Sequence, residues 1–450
     1  MRYLAEMLNK SLLIAAVALF PALSAFAQKP APLVIISLDG MRPDYVTHAD
    51  EHGLKVPTLR TFLTQGTWAE GVEGVIPTVT YPSHTTIVTG VWPVEHGIYS
   101  NVRFDPLGEH PGVWYWEFSA IEVETLYQAA SKAGLRTGAV SWPVTVGAPI
   151  DYNIAEHAQS EETATPAISP YNPPDILERL HIHPAKDADT DETKTAEAVA
   201  ILRQDKPDLM LVHLANLDHQ EHQHSPFSPE ANAALEKLDV QVHQIEQAAL
   251  AVDPATRIAI VSDHGFYRID HIIHLNALFT KAGLITLGHR KAGEDDAPVL
   301  SWKAEAWTAG GSCAILLHDT DDAATLAKVK AVLDKAKANP KLGIAQILSH
   351  DEIAARGGFP NAAFLVEFKE GFGSGGNTSG AVVEDSPHTG THGYLPSTPA
   401  MRSAFMLKGR GIAAGRDLKV IDMRQIAPSF AEMLGVTLPA AKQPPVHYQP

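Results

Sequence analysis

The sequence predicts an α/β fold: a doubly wound, mostly parallel sheet with helices on both faces. Three observations carry that expectation. Short, uniformly apolar runs trade places along the chain with segments of helical periodicity. The apolar runs are rich in Val, Ile and Leu instead of alternating with polar residues, as strands covered on both faces should be. Three of them run into, or soon reach, Asp or His at their carboxyl ends, where sheets of this kind collect ligands.

Taken in order, residues 33–38 (LVIISL) form the first expected strand and end in Asp39-Gly40. Residues 122–133 have helical spacing, Gly134 can cap them, and 136–141 read as the next strand. A helix over 195–204 precedes a strand over 209–214, and a long helix over 229–251 precedes a strand over 257–262 that leads into Asp263-His264-Gly265. Between the first two strands, 77–90 (PTVTYPSHTTIVTG) places Thr80 just ahead of a helix, with Pro82 at its first position and Gly90 after its last. Thr80 there is either an ordinary N-cap or a hydroxyl set where a helix N-terminus favours negative charge.

From about 288 to 385 the rhythm weakens: strands are expected over 301–307, 314–318 and 364–368, with an amphipathic helix over 323–338. This part is expected to be an inserted cap, leaving 28–287 and 386–450 as the α/β core. Residues 371–380, with five glycines, read as a mobile loop.

The N-terminus carries Arg2 and Lys10, an apolar run over 12–20 and Ala25-Phe26-Ala27, the pattern of a secretory signal cleaved after Ala27. A periplasmic or secreted protein is expected, with no membrane span in its mature form. The net charge of −17, from 52 acidic and 35 basic residues, makes a poor surface for nucleic-acid polymers. Cys313 is the only cysteine, so an internal disulfide and a thiolate metal cluster are both excluded, and any metal must be held by His and carboxylates.

Residues of that type recur at the expected strand ends: Asp39, Asp218 and His222 in Asn-Leu-Asp-His-Gln-Glu-His, Asp263 with His264, and His392 in His-Thr-Gly-Thr-His-Gly-Tyr. Each alone could be a turn or cap residue. Together they suffice for two metal ions, with Thr80 as the nucleophile that such ions can activate. Imidazole and carboxylate suit Zn2+, and Mn2+ or another divalent ion can also be held by such a set.

These motifs, in this order and spacing from about Leu33 to Leu407, resemble the alkaline phosphatase superfamily. The branch they resemble most is the nucleotide pyrophosphatase/phosphodiesterase family. Ser-Leu-Asp39-Gly, Thr80-x-Pro-Ser-His-x-x-x-x-Thr-Gly, His96-Gly-Ile, Asn101, Asp218-x-x-x-His222, Ser-Asp263-His264-Gly and His392-Gly-Tyr carry the likeness. The resemblance implies an alkaline-phosphatase-like fold and one zinc held by Asp218, His222 and His392. A second zinc would be held by Asp39, Asp263 and His264 beside the nucleophile Thr80. It implies a small phosphate-ester substrate, a covalent threonyl-phosphate, and Asn101 holding a non-bridging phosphate oxygen with the Thr80 N–H. Sulfatases of the superfamily differ at Thr80 and at His84. Alkaline phosphatases proper follow their nucleophile with Arg where Tyr81 stands, which favours diesters here. The tyrosine that stacks on a nucleobase in the phosphodiesterase branch is replaced by His213, leaving Tyr81 to supply a stacking face. Phosphonate or phosphomonoester hydrolysis on the same metals, and a non-enzymatic zinc- or phosphate-binding protein, are the alternatives.

Overall fold

Leu33–Leu38 lies inside an eight-stranded sheet, paired in parallel with Leu209–Leu214 on one side and Arg257–Val261 on the other. Thr137–Val140 and Tyr152–Ile154 extend the parallel set beyond Leu209–Leu214. On the other edge, Phe405–Lys408 adds antiparallel to Arg257–Val261, followed by Thr67–Trp68 and Arg416–Asp417. The computed structural model describes residues 29–110, 113–156, 173–181, 190–289 and 297–450, and Ala31–Pro450 pack as one compact unit. The expected signal, 1–27, lies outside the described residues.

Successive side chains of a strand point to opposite faces, and here both faces are apolar. Leu33 and Ile35 join one core with Leu209, Leu211, Ala259 and Val261. Val34, Ile36 and Leu38 join the other with Met210, Val212 and Ile260. The helices Leu126–Lys132 and Ile426–Leu434 cover the first face, and Pro57–Gln65, Asp191–Gln204 and Pro229–Val252 cover the second. Two-sided burial is what made these strands read as unbroken hydrophobic runs.

Residues 304–368 add an antiparallel four-stranded sheet, ordered Ala304–Ala309, Ser312–Leu317, Ala362–Phe368, Ile344–Ser349, with the helix Ala323–Lys337 beside it. Its core also takes in Ile273, Phe279, Tyr394 and Met401. Three local expectations need correction. The strand expected over 301–307 is two, Val299–Trp302 and Ala304–Ala309, because the pairing changes at Lys303: its N–H still bonds Leu284 O at 2.7 Å, beside Ile285–Leu287, while its O accepts from His318 N at 2.9 Å, beside Ser312–Leu317. The loop expected over 371–380 starts as a strand: Gly371–Ser374 pairs in parallel with Tyr267–Ile273, and Ser374 N–H donates to Gly310 O. Backbone pairing there overrides glycine-rich composition. The helix after Val79 begins at Thr80, two residues earlier than Pro82 suggested. A proline is tolerated anywhere in a first turn, where its missing N–H would have no partner anyway.

Candidate active site and metal centre

Every candidate ligand arrives at the carboxyl end of the parallel strands or on the segment that closes over it. Asp39 follows Leu33–Leu38, and Asp263-His264 follow Arg257–Val261. Gly40 has φ +74°, and a Cβ there would lie 2.8 Å from Glu221 Oε2 and 2.9 Å from the Phe266 ring, so the turn after Asp39 requires glycine. The Gly40 N–H donates to Asp263 Oδ1 at 3.1 Å, locking the two strand ends together. Asp218 and His222 sit one turn apart on the helix Asn216–His224. That helix starts on a borrowed cap: the buried Asp191 carboxylate accepts from Ala215 N and Asn216 N at 3.0 and 2.9 Å. His392 follows the short strand Gly390–Thr391, and Gly393, φ +86°, brings the backbone where a Cβ would stand 1.7 Å from Ala309 O.

The six residues assemble into two clusters, Asp218, His222 and His392 in one and Asp39, Asp263 and His264 in the other. Within each, one potential ligand atom per residue lies within 4.8 Å of the others. His222 Nε2 and His392 Nε2 are 3.6 and 3.8 Å from Asp218 Oδ1. His264 Nε2 is 3.5 Å from Asp39 Oδ1 and 3.1 Å from Asp263 Oδ2. The clusters adjoin, because the His264 and His392 rings stack with centroids 3.7 Å apart.

Asp39 Oδ1, Asp218 Oδ1 and Asp263 Oδ2 are buried without hydrogen-bond partners among the described residues. Burial first, and then Asp263, holds the Asp39 carboxyl well above the usual carboxylate range. Burial pushes Asp218 up to about 6. Burial also drives His264 and His392 well below the ordinary imidazole value, keeping them neutral. Crowded carboxylates beside neutral imidazoles are unfavourable alone and suited to a divalent cation. The far nitrogens are already committed: His222 Nδ1–H donates to Gly390 O at 3.0 Å and His392 Nδ1–H to Thr78 O at 3.1 Å, aiming each Nε2 inward. The donor set therefore fits two metal ions.

Thr80 is the first residue of the helix Thr80–Thr89, after an extended Val79, and its side chain makes no capping bond. Its Oγ1 is 3.5 Å from His264 Nε2. Pro82 has no N–H, so the helix start exposes only the Thr80 and Tyr81 amides ahead of Ser83. The Tyr81 N–H donates to Asn101 Oδ1 at 2.8 Å, which fixes that amide with its NH2 group as the free donor. His84, pushed down to about 4 by burial, is neutral. Its Nδ1–H donates to Thr80 O and its Nε2 accepts from Ser37 Oγ, both at 2.8 Å, tying the Thr80 helix to the central strand.

Tyr81 does not offer a stacking face. It is 0% exposed, its hydroxyl donates to Glu156 at 3.1 Å, and its ring meets Trp114 and Trp116 edge-on. Helical geometry turns it a hundred degrees from Thr80, into the cluster of Ile98, Tyr115 and Val144. His213, too, lies beneath the site. It is buried in Leu209–Leu214, with Nδ1–H donating to Ser141 O at 3.1 Å and Nε2 meeting Asp39 Oδ2 at 2.8 Å. Sequence reasoning missed that role, although one polar residue in an otherwise apolar buried strand was a usable signal. A cavity of about 490 Å³ opens from the site, lined by Asn101, His222 and His392 at one end and by Arg103, Phe104, Trp114, Glu305 and Trp307 beyond.

The description of type I phosphodiesterase / nucleotide pyrophosphatase matches residues 33–395. The chain is 23% identical over 416 residues to an uncharacterized pyrophosphatase/phosphodiesterase of Schizosaccharomyces pombe, covering 88% of this chain and 73% of that one. It is 24% identical over 246 residues to rat ectonucleotide pyrophosphatase/phosphodiesterase family member 1, covering 52% of this chain but only 24% of the longer rat protein. Human ectonucleotide pyrophosphatase/phosphodiesterase 5 has the same alkaline-phosphatase-like fold, with a TM-score of 0.65 at 18% identity over 92% of this chain and 97% of that one. Its murine counterpart, solved in an inactive form in complex with AMP, matches with the same TM-score and identity over 93% and 97%. A match over most of the chain, on a structure that brings the motif residues to one place, makes this protein a member of the type I phosphodiesterase / nucleotide pyrophosphatase family.

Proposed function

We propose that this protein is an exported two-zinc phosphodiesterase that works through a threonyl-phosphate on Thr80. The observation that carries the reading is the placement of Thr80 Oγ1, at a helix N-terminus, beside two clusters of His and carboxylate with unpartnered oxygens. Asp218, His222 and His392 would hold one ion and Asp39, Asp263 and His264 the other. When bound, the ions would supply Lewis-acid activation and neutralise phosphate charge. The signal-like N-terminus supports export, and no described helix is long and apolar enough to cross a membrane.

Thr80 Oγ1 gives up its proton and attacks phosphorus in line, forming an O–P bond as the bond to the departing alcohol breaks; that alkoxide takes a proton, and the second alcohol stays on the threonyl-bound phosphorus. Water then attacks the same phosphorus, the Thr80 O–P bond breaks, and the hydroxyl is restored. Through both steps the Thr80 N–H and the Asn101 NH2 face the charge developing on a non-bridging oxygen, a role in which one donor is commonly worth about 10²–10³ in turnover. The absence of an Arg after Thr80 favours a singly charged diester over a dianionic monoester.

A panel sharing 4-nitrophenol as leaving group tests the reaction class: bis(4-nitrophenyl) phosphate, and the phenylphosphonate, phosphate monoester and sulfate of that phenol. The diester should be hydrolysed fastest, and a faster monoester or phosphonate would replace the reading. A second prediction concerns His213. His213→Ala leaves Asp39 Oδ2 without its partner and should weaken metal affinity by about 10- to 100-fold, with His213→Gln falling between because its amide keeps a polar group against that oxygen. Zinc competition against a chromophoric chelator reads this directly. Unchanged zinc affinity with only a raised KM would instead make His213 a substrate contact.

A further inference from the structure

Glu221 lies between Asp218 and His222 on the helix Asn216–His224, yet it belongs to neither metal cluster. Its side chain is fully buried, and a buried carboxyl is retained only against a cost. It reaches from that helix to the segment that follows Asp39. Oε1 accepts from the hydroxyl of Tyr45, on the short helix Asp44–Thr47, at 2.7 Å. Oε2 has no hydrogen-bond partner among the described residues and lies 2.8 Å from where a Cβ on Gly40 would stand, so the acid fills the space beneath the Asp39-Gly40 turn.

The same hydroxyl holds the far end of the ligand helix. Tyr45 Oη accepts from Phe227 N–H at 2.8 Å, and the two rings pack with centroids 4.2 Å apart. Ser225 and Phe227 there have φ of +69° and +60°, a region costly for residues other than glycine, so the helix exit needs a tie. Arg42 lies over the Phe227 ring at 4.9 Å and donates to Phe266 O at 3.3 Å. The Phe266 ring in turn packs against His222, His264 and His392, with centroids 4.9, 5.8 and 5.2 Å away.

Resting on the two-metal reading above, we propose that Glu221 is a positioning residue that sets the separation of the two metal clusters. With Tyr45 it clamps the helix that carries Asp218 and His222 to the turn that carries Asp39. Two ions act on one phosphoryl group only when they stand about 4 Å apart, so a drift between these carriers uncouples the ions even where each ligand set stays whole. The bridge needs an acceptor of this length for the Tyr45 hydroxyl. Glutamine supplies one in the same shape, whereas methionine fills the space and leaves that hydroxyl unpaired in the core.

The test titrates the metal-free native protein, Glu221→Gln and Glu221→Met with zinc by calorimetry, and records the electron paramagnetic resonance of the Mn2+-loaded forms. Neighbouring Mn2+ ions couple, and separated ones do not. The native protein and Glu221→Gln should bind two ions and give the coupled signal. Glu221→Met should lose most of that signal and bind its second zinc about 10- to 100-fold more weakly, the scale on which groups behind metal ligands act. Where Mn2+ does not fill both sites, the second zinc affinity decides alone. A Glu221→Met protein with native coupling and affinity and only a lower melting temperature has lost a merely structural contact, which overturns the proposal. Glu221→Gln behaving like Glu221→Met overturns it too, because the negative charge and not the bridge would then be the cause. If Glu221→Met does not fold, Tyr45→Phe, which deletes only the hydroxyl, must show the same loss, and native behaviour there overturns the proposal. A native protein that binds fewer than two zinc ions ends the two-metal reading, and the proposal with it.

Discussion

Replacing Thr80 by alanine should lower hydrolysis of a phosphodiester by at least about a thousandfold, as removal of a nucleophile does. The melting temperature should stay where it is. The two outcomes belong together because of where Thr80 sits. A threonine that caps a helix loses about 0.5–2 kcal/mol when cut to alanine. Thr80 is the first helical residue after the extended Val79, and its hydroxyl bonds no backbone N–H. The oxygen instead stands 3.5 Å from His264 Nε2, so its removal costs chemistry and little stability. Thr80→Ser keeps the oxygen and should keep a measurable fraction of the rate. Acid-quenched turnover should also leave the phosphoryl group, still esterified to its undisplaced alcohol, on the peptide holding Tyr81-Pro82-Ser83. Phosphate found on Ser83 would move the nucleophile, and full activity in Thr80→Ala would remove the covalent route altogether.

Exhaustive chelation should abolish hydrolysis, and added zinc should restore it. The melting temperature should move this time, in contrast to Thr80→Ala. An ion that binds only the folded chain adds about 2.7 kcal/mol at a hundredfold excess over its Kd, so two filled sites add about 5. The gain is large here because each cluster contains a buried carboxylate oxygen without a partner, Asp218 Oδ1 in one and Asp39 Oδ1 and Asp263 Oδ2 in the other. Removing the ions returns those oxygens to one another and to the neutral rings of His264 and His392. Differential scanning fluorimetry with and without zinc, next to the activity assay, reads both effects. Unaltered activity after complete metal removal would end the two-metal mechanism, and an unaltered melting temperature would mean that the sites do not fill.

The sequence by itself determined the central strands and what stands at their ends. Leu33–Leu38 and Leu209–Leu214 were legible to the residue, because a strand buried on both faces is an apolar run of about this length, too short for a buried helix. Five of the six ligand-type residues were legible from local pattern, since Asp39, Asp263 and His264 directly follow such runs and Asp218 and His222 have the spacing of one helical turn; His392 stood out only by its residue type in His-Thr-Gly-Thr-His-Gly-Tyr. Strands held by pairing alone were not: Thr67–Trp68 and Gly371–Ser374 are too short or too glycine-rich to carry a period, and only their partners, Phe405–Lys408 and Tyr267–Ile273, make them strands. Tertiary structure alone also decided which side chains face the cavity. Tyr81 has the composition of a stacking residue, yet the helix that presents Thr80 turns it into the core. His213 stands where the resemblance expects a base-stacking tyrosine and is instead a prop beneath Asp39. Glu305 and Trp307 reach the cavity from a sheet more than two hundred residues beyond Thr80. No local pattern records such a meeting, because which face of a strand looks onto a site depends on how that strand's sheet packs, and not on the strand's own residues.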